Sequence, residues 1–343
     1  MNILVTGASG HLGKYLIEDL TERYMIRALL LSPDETSKIE NYNNIEIVYG
    51  DLTDPITIEG ITKDIDVVIH LAAVIDYIAP ENTLYKVNYE GTKNVIRECA
   101  KTGVKKFIYI SSTAVYGKNL PKEAINEDFP LKPNNAYGKS KMLAEQELLK
   151  FKEKMNVIIL RLSMLYGKGF DKGYFYILRA IEKKEMKMIG NGENHIPLLH
   201  VKDAVEAIKL SLENKTQSGS VYNVANQNSI TQKELLTIAA NELNVDPPTS
   251  TFPIFLVKTL ASFELIGSYL TTKEPKLLNE YIDKISADRQ FSIHKIEMDL
   301  GFFPKVNIKE GMKEMVEYYI EKEYEKEEIK EEENEVDYND EEN

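Results

Sequence analysis

The sequence predicts an α/β fold: a doubly wound parallel sheet followed by a smaller, mostly helical C-terminal region. Three observations predict it. Glycines at Gly7, Gly10 and Gly13 stand between an apolar run, Asn2 to Val5, and a stretch with Leu12, Tyr15, Leu16, Asp19 and Leu20 at helical spacing. Strand-like and helix-like stretches then alternate as far as about residue 160. Small and polar residues recur where those strands end.

The opening stretch reads as strand, tight turn and helix. Gly7 permits the turn, Gly10 lets a pyrophosphate approach the backbone, and Gly13 lets the helix lie close to the strand. The free N–H groups at the helix start complete an anion site. Further strands are expected at Ile26–Leu31, Ile45–Val48, Val67–His70, Phe107–Ile110 and Val157–Leu160, with helices at Thr83–Lys101 and Tyr137–Lys154. This alternation implies parallel strands with helices on both faces. Ligands in such a sheet lie beyond the carboxyl ends of the strands. The glycine turn, Asp51-Leu52, Leu71-Ala72-Ala73 and Ser111-Ser112-Thr113 all fall there. Asp51 could accept from an adenine amino group or cap a helix.

From about Ile177 helical patterns dominate, with short strands at Lys187–Ile189 and Val221–Asn223. Thr231 and Glu234 form a capping box at the start of a helix that runs to Leu243. The expected division is a dinucleotide-binding domain over 1–176, with elements near 187–225 partly returning to it, a substrate-binding region over 177–320, and a tail over 321–343. A stripe of Phe252, Phe255, Leu256, Leu260, Phe263, Ile266 and Leu270 reads as a packed lid helix, or as an apolar lip or membrane-surface contact.

The chain has 343 residues and a net charge of −13, most of it in the tail. Residues 321–343 hold thirteen acids and three lysines, a net of −10, which leaves −3 for the rest. The body is nearly balanced, so no nucleic-acid partner is expected. The tail reads as a solvated, disordered extension or a frayed helix. The single cysteine, Cys99, excludes an internal disulfide and fits a reducing compartment. No signal peptide and no integral membrane span are expected, so the expected location is the cytoplasm. His195 and His200 read as packed or solvent-facing residues, and no metal site is expected.

The catalytic signal is Ser112 with Tyr137 and Lys141. Tyr137 and Lys141 are four apart and share a helix face. A neighbouring ammonium favours the phenolate, so the phenol can exchange a proton with a hydroxyl or carbonyl near neutral pH. Lys141 can also hold a nicotinamide ribose, and Ser112 can donate to the same substrate oxygen. Pro130 and Pro133 shape the approach.

These stretches together resemble the extended short-chain dehydrogenases/reductases, the group of nucleotide-sugar epimerases, dehydratases and 3β-hydroxysteroid-type dehydrogenases. The matching stretches are 6–13 (TGASGHLG), 50–52 (GDL), 70–73 (HLAA), 87–94 (VNYEGTKN), 110–117 (ISSTAVYG), 137–141 (YGKSK), 160–167 (LRLSMLYG) and 190–204 (GNGENHIPLLHVKDA). The resemblance implies a Rossmann-type sheet and a cofactor site of Gly7, Gly10, His11, Leu12, Gly13, Asp51, Leu52, Leu71, Ala72, Ala73, Asn88, Ser111, Tyr137, Lys141 and Ser163. His11 and Leu12 would line the pyrophosphate, Ser163 would offer backbone near the nicotinamide, and Asn88 would sit at the site's edge. It implies hydride transfer between NAD or NADP and a secondary alcohol or ketone, with a nucleotide-sugar epimerase or dehydratase as the alternative. A non-catalytic dinucleotide-binding regulator is a further alternative, against which the retained tyrosine–lysine pair argues. Expected partners are a small-molecule substrate and a second copy of the chain.

Two departures bear on substrate. Met164 stands where nucleotide-sugar enzymes often carry asparagine, and Ile196 where they often carry arginine for a phosphate. The stretches 194–200 and 288–304 resemble the steroid-dehydrogenase and dihydroflavonol-reductase side, which favours a less polar alcohol or ketone. For the cofactor, no acid or arginine occupies Leu30 or Leu31, and Asp34 follows a proline. The expectation is weak discrimination between NAD and NADP, within about tenfold.

Overall fold

The computed structural model describes residues 1–39, 42–75, 79–118, 120–171, 173–259, 282 and 286–340, the last fifteen of these by backbone alone. Six strands open the main sheet: β1 (Asn2–Thr6), β2 (Met25–Leu30), β3 (Ile45–Tyr49), β4 (Val67–His70), β5 (Lys106–Ser112) and β6 (Asn156–Leu162). Short strands follow: β7 (Met164–Tyr166), β8 (Met188–Ile189), β9 (His195–Ile196) and β10 (Leu198–His200). Then come β11 (Ser220–Val224), β12 (Ile230–Thr231) and β13 (Thr251–Phe252). The sheet order is β11-β6-β5-β4-β1-β2-β3, and every neighbouring pair in it is parallel.

The order reverses between β1 and β4, so the crevice opens where those two strands end. The strands alternate their apolar side chains between two cores. Ile3, Val5, Ile69, Ile108 and Ile158 lie on one face with helix α1 (His11–Leu20). Leu4, Val68, Phe107, Tyr109 and Val157 lie on the other. Burial on both faces is why these strands read as continuous apolar runs.

The second helical stretch is not uniform. Helix α2 (Glu81–Leu84) passes into a π-helical turn, Tyr85–Gly91, before α3 (Thr92–Thr102). The helix expected at Tyr137–Lys154 is α4 (Ala136–Leu148), closed by a 3₁₀ turn. Helices α5 (Tyr174–Glu182), α6 (Val201–Glu213) and α7 (Gln232–Glu242) complete the set used below. Thr231 caps α7 and Glu234 returns the bond, as the capping box requires.

The later elements are placed as follows. The strand near 221–223 is β11, the edge strand of the main sheet, because its apolar residues pair with β6. Helix α6 lies against α1 and its apolar residues join the same core, so this segment belongs to the first domain. The expected stripe helix starts late: Phe252 is in β13, and residues 254–259 are helical. Within it Val257, outside the stripe, is buried, while Phe255 is 68% exposed. Leu260, Phe263, Ile266 and Leu270 lie outside the described residues. The C-terminal helix Ile308–Asp340 runs through most of the acidic tail, which is helical as in the second of the two readings of it. Lys322 pairs with Glu325 one turn on, and Arg179 holds Glu323 at 2.7 Å.

Candidate active site

The glycine turn is built as the spacing demands. Gly7 has φ +71°, and a Cβ there would lie 2.7 Å from Ala72 N. A Cβ on Gly13 would meet Gly7 O at 2.3 Å, which shows how tightly α1 sits on the turn. Gly10 is different: it is exposed, and a Cβ there would meet only Gly7 O, at 3.2 Å. That side chain would project into the cradle at the start of α1, which is the space a pyrophosphate needs. His11 and Leu12 stand at its rim, with the His11 ring 5.3 Å from that of Phe170.

The floor under the turn is held by a buried histidine. His70 Nδ1 lies 2.7 Å from Thr6 Oγ1, and Nε2 lies 2.9 Å from Thr92 Oγ1. The Thr92 hydroxyl donates to Asn88 O, so His70 Nε2 is the donor to Thr92 and Nδ1 accepts from Thr6. Burial, with Lys141 adding to it, pushes the imidazole down to about 3, so it stays neutral. Thr6 also receives Ala72 N, which fixes Leu71-Ala72-Ala73 beneath Gly7.

Asn88, in the π-helical turn, uses its amide to hold this floor in place. Its Oδ1 accepts from Val74 N, and its Nδ2 donates to Val74 O and Ser140 Oγ. Ser140 in turn donates to Tyr137 O. One wide helical turn thus clamps the 71–74 segment to α4, a use of π-bulges common near sites.

The helix that carries Tyr137 and Lys141 lies against the end of β5, where Ser112 stands. Asn135 caps α4 through Gly138 N, which sets Tyr137 in the first turn at the positive helix end. Gly138 lies so close to the turn after β5 that a Cβ would meet Ala114 O at 2.5 Å. Ser112, the last residue of β5, accepts from Ala114 N, which leaves its own hydroxyl proton to donate. Lys141, one turn beyond Tyr137 and 2% exposed, donates to Ile110 O at 2.8 Å and lies 4.8 Å over the Tyr109 ring. Burial lowers the Lys141 ammonium to about 7, while Glu145 pulls the other way.

Glu145 is the residue sequence reasoning missed on this helix. Its carboxylate takes Arg161 Nη2 at 2.7 Å and the Ser111 hydroxyl, all buried. Its signal was available: Tyr137, Lys141 and Glu145 are spaced i, i+4, i+8 on one face. Ser111 therefore supports from below. Leu52 is likewise buried, with Gly91 lying against it. Asp51 at the end of β3 accepts from Thr53 N, the capping alternative, though turns rather than a helix follow. Ser163 N donates to Val224 O, and its buried hydroxyl has no partner among the described residues.

His195 and His200 lie apart from the triad. His195 meets Asp288 at 2.8 Å, and Gln290 is 3.2 Å from the same nitrogen. His200 caps α6 and is fully buried against Tyr166 and Glu314. Asp203 binds Lys305 N and Val306 N, tying the C-terminal segment to α6.

A profile of the NAD dependent epimerase/dehydratase family matches residues 3–225. The chain belongs to that family. Similar proteins include the N-acetyl-α-D-glucosaminyl-diphospho-ditrans,octacis-undecaprenol 4-epimerase of Escherichia coli O157:H7. It is 29% identical over 322 residues, covering 92% of this chain and 95% of the relative. A sterol-4-alpha-carboxylate 3-dehydrogenase, decarboxylating, from Dictyostelium discoideum is 30% identical over 337 residues, covering 92% and 99%. Among solved structures, gox2253 superposes with a TM-score of 0.77 at 25% identity, covering 93% of this chain and 98% of the other. The protein is an NAD(P)-dependent enzyme of the extended short-chain dehydrogenase/reductase type, acting on a secondary alcohol or ketone carbon of a small molecule. Among the described residues, no helix is long and apolar enough to cross a membrane.

Proposed function

We propose that the enzyme is a dehydrogenase/reductase that works in the cytoplasm on an alcohol with a largely apolar body, and that Tyr137 is its acid/base. The observation that carries the catalytic assignment is the buried ammonium of Lys141, one turn beyond Tyr137 and anchored to β5 beside Ser112. Bound NAD(P) supplies or accepts the hydride. Tyr137 takes the substrate hydroxyl proton in oxidation and returns it to the carbonyl oxygen in reduction. The positive end of α4 and the Lys141 charge both favour the phenolate. Ser112 donates to the same oxygen and orients it. Leu71 to Ala73, His11 and Leu12 would line the cofactor, with Ser163 at its nicotinamide end.

Support for an apolar substrate comes from several sides. Ile196 in β9 stands where nucleotide-sugar enzymes often carry a phosphate-binding arginine and Met164 in β7 where they often carry asparagine, and neither side chain can donate to a phosphate. The Dictyostelium relative is named for a sterol, which pairs a reacting secondary alcohol with an apolar body. The Escherichia coli relative is named as a 4-epimerase of a diphospho-undecaprenol-linked sugar and favours the epimerase alternative. A homodimer is the proposed assembly.

The test follows cofactor reduction and product stereochemistry together, for the purified chain with sterol alcohols, polyprenol-linked sugars and nucleotide sugars. Net cofactor reduction by an apolar alcohol is expected. Epimerised nucleotide sugar with no net cofactor reduction would assign the enzyme to the epimerases instead.

A further inference from the structure

The buried ammonium of Lys141 is short of hydrogen-bond partners. It carries three N–H groups, and Ile110 O, at 2.8 Å, is its one acceptor among the described residues. A charge that is 2% exposed is costly unless something stands in for the water it has lost. The ring of Tyr109, in the middle of β5, does so. The ammonium stands 4.8 Å from the centre of that ring, within the range of a cation–π contact. Tyr109 is fully buried, so water does not weaken the attraction. Its neighbours hold the ring in place. The His70 ring lies 5.8 Å from it with the two planes 21° apart, and His70 is itself fixed by Thr6 and Thr92. A chain of side-chain contacts therefore runs from the floor of the glycine turn through Tyr109 to Lys141.

We propose that Tyr109 is a positioning residue, whose ring face keeps the Lys141 ammonium charged and in place and so helps Tyr137 lose its proton. The inference rests on the proposed pairing of Lys141 with Tyr137. The other titratable groups around Lys141 do not take over this role. His70 is neutral. Glu145, one turn further along α4, also favours the ammonium, but its carboxylate is engaged by Arg161 and Ser111. Tyr137 is the group on which the ammonium acts. The competing explanation is that Tyr109 only fills the core between β5 and α4. Leucine or methionine would fill that space as well, but only an aromatic face attracts a cation.

The ultraviolet absorbance of phenolate tests it on the full chain, with no substrate needed. Each protein is titrated with pH, and the curve of the same protein carrying Tyr137→Phe is subtracted, which leaves the Tyr137 phenolate. Burial holds the Tyr109 phenol well above its ordinary value, so replacing it leaves this signal intact. Tyr109→Leu and Tyr109→Met should each make Tyr137 about three- to tenfold harder to ionise. Tyr109→Phe keeps the ring and should stay within about twofold of wild type. Fluorinated phenylalanines at the same position weaken the ring face at nearly constant shape, and should bring the loss back stepwise. That series keeps the core packed and decides the matter where Tyr109→Leu does not fold. In a Lys141→Met background none of these changes should move Tyr137. An unchanged titration in Tyr109→Leu, equal losses in Tyr109→Leu and Tyr109→Phe, or a loss that persists without Lys141 would overturn the proposal. If Lys141→Met itself left Tyr137 unmoved, the pairing of those two residues would fall, and this inference with it.

Discussion

Lys141→Met separates what this lysine costs the fold from what it does for the reaction. The ammonium is 2% exposed, and burial lowers it from 10.5 to about 7. Its folded value lies below its unfolded value, so the unfolded chain binds more protons between about pH 7 and 10.5. Stability therefore rises with pH across that window, and below it the charge costs the fold on the order of 5 kcal/mol. Methionine fills a similar volume without charge but leaves Ile110 O without this donor, a loss of about 1–3 kcal/mol. At pH 6 the variant should be more stable than wild type by about 2–4 kcal/mol, a rise of about 4–8 °C in the melting midpoint of the cofactor-free protein. Near pH 8.5 the two should melt together, and by pH 10 the variant should be the less stable. Its turnover should fall on the order of 10²–10⁴-fold at every pH. Scanning calorimetry at the three pH values, beside steady-state rates, measures both. A variant that melts below wild type at pH 6, or whose midpoint differs by the same amount at each pH, would refute the buried-charge argument.

Tyr137→Phe should lower turnover about 10²–10⁴-fold while NAD binding by titration stays near wild type, and near-normal turnover would take Tyr137 out of the mechanism. Gly10→Val should abolish NAD binding in a protein that still folds, since a Cβ there meets only Gly7 O at 3.2 Å. Gly13→Ala, whose Cβ would lie 2.3 Å from the same oxygen, should instead lower the melting midpoint, and equal melting of both variants with wild type would contradict the geometry. His70 is held neutral with a folded value of about 3 against 6.5 unfolded. Its contribution is present above pH 6.5 and lost as pH falls toward 3, on the order of 5 kcal/mol in all. His70→Gln should flatten that acid limb in denaturation curves, and an unchanged limb would place the acid sensitivity elsewhere.

Much of the site was legible because its chemistry is local in sequence. A glycine triad after a strand, and a tyrosine and lysine four apart, work through neighbours within one turn or one helix. Their spacing carries the information, and the order of strands then says where they meet. The capping box at Thr231 and Glu234 was readable for the same reason. What the spacing hid were side chains whose partners lie far along the chain. Glu35 reaches Ser9 only because a 3₁₀ turn is pinned to β3. His70 joins Thr6 to Thr92, and Glu145 joins Ser111 to Arg161, across strands that the sheet sets side by side. That the strand at 220–224 pairs with β6 could not be read from the sequence, because a short apolar run carries no mark of its partner. Hydrophobic periodicity says which face is buried and never against what. By itself the sequence determined the family, the sheet, the glycine turn and the helix face that Tyr137 and Lys141 share. Only the tertiary structure decided which carboxylate bridges the glycine turn and the end of β2 and which buried groups hold the floor, because those contacts come from long-range packing and leave no local pattern.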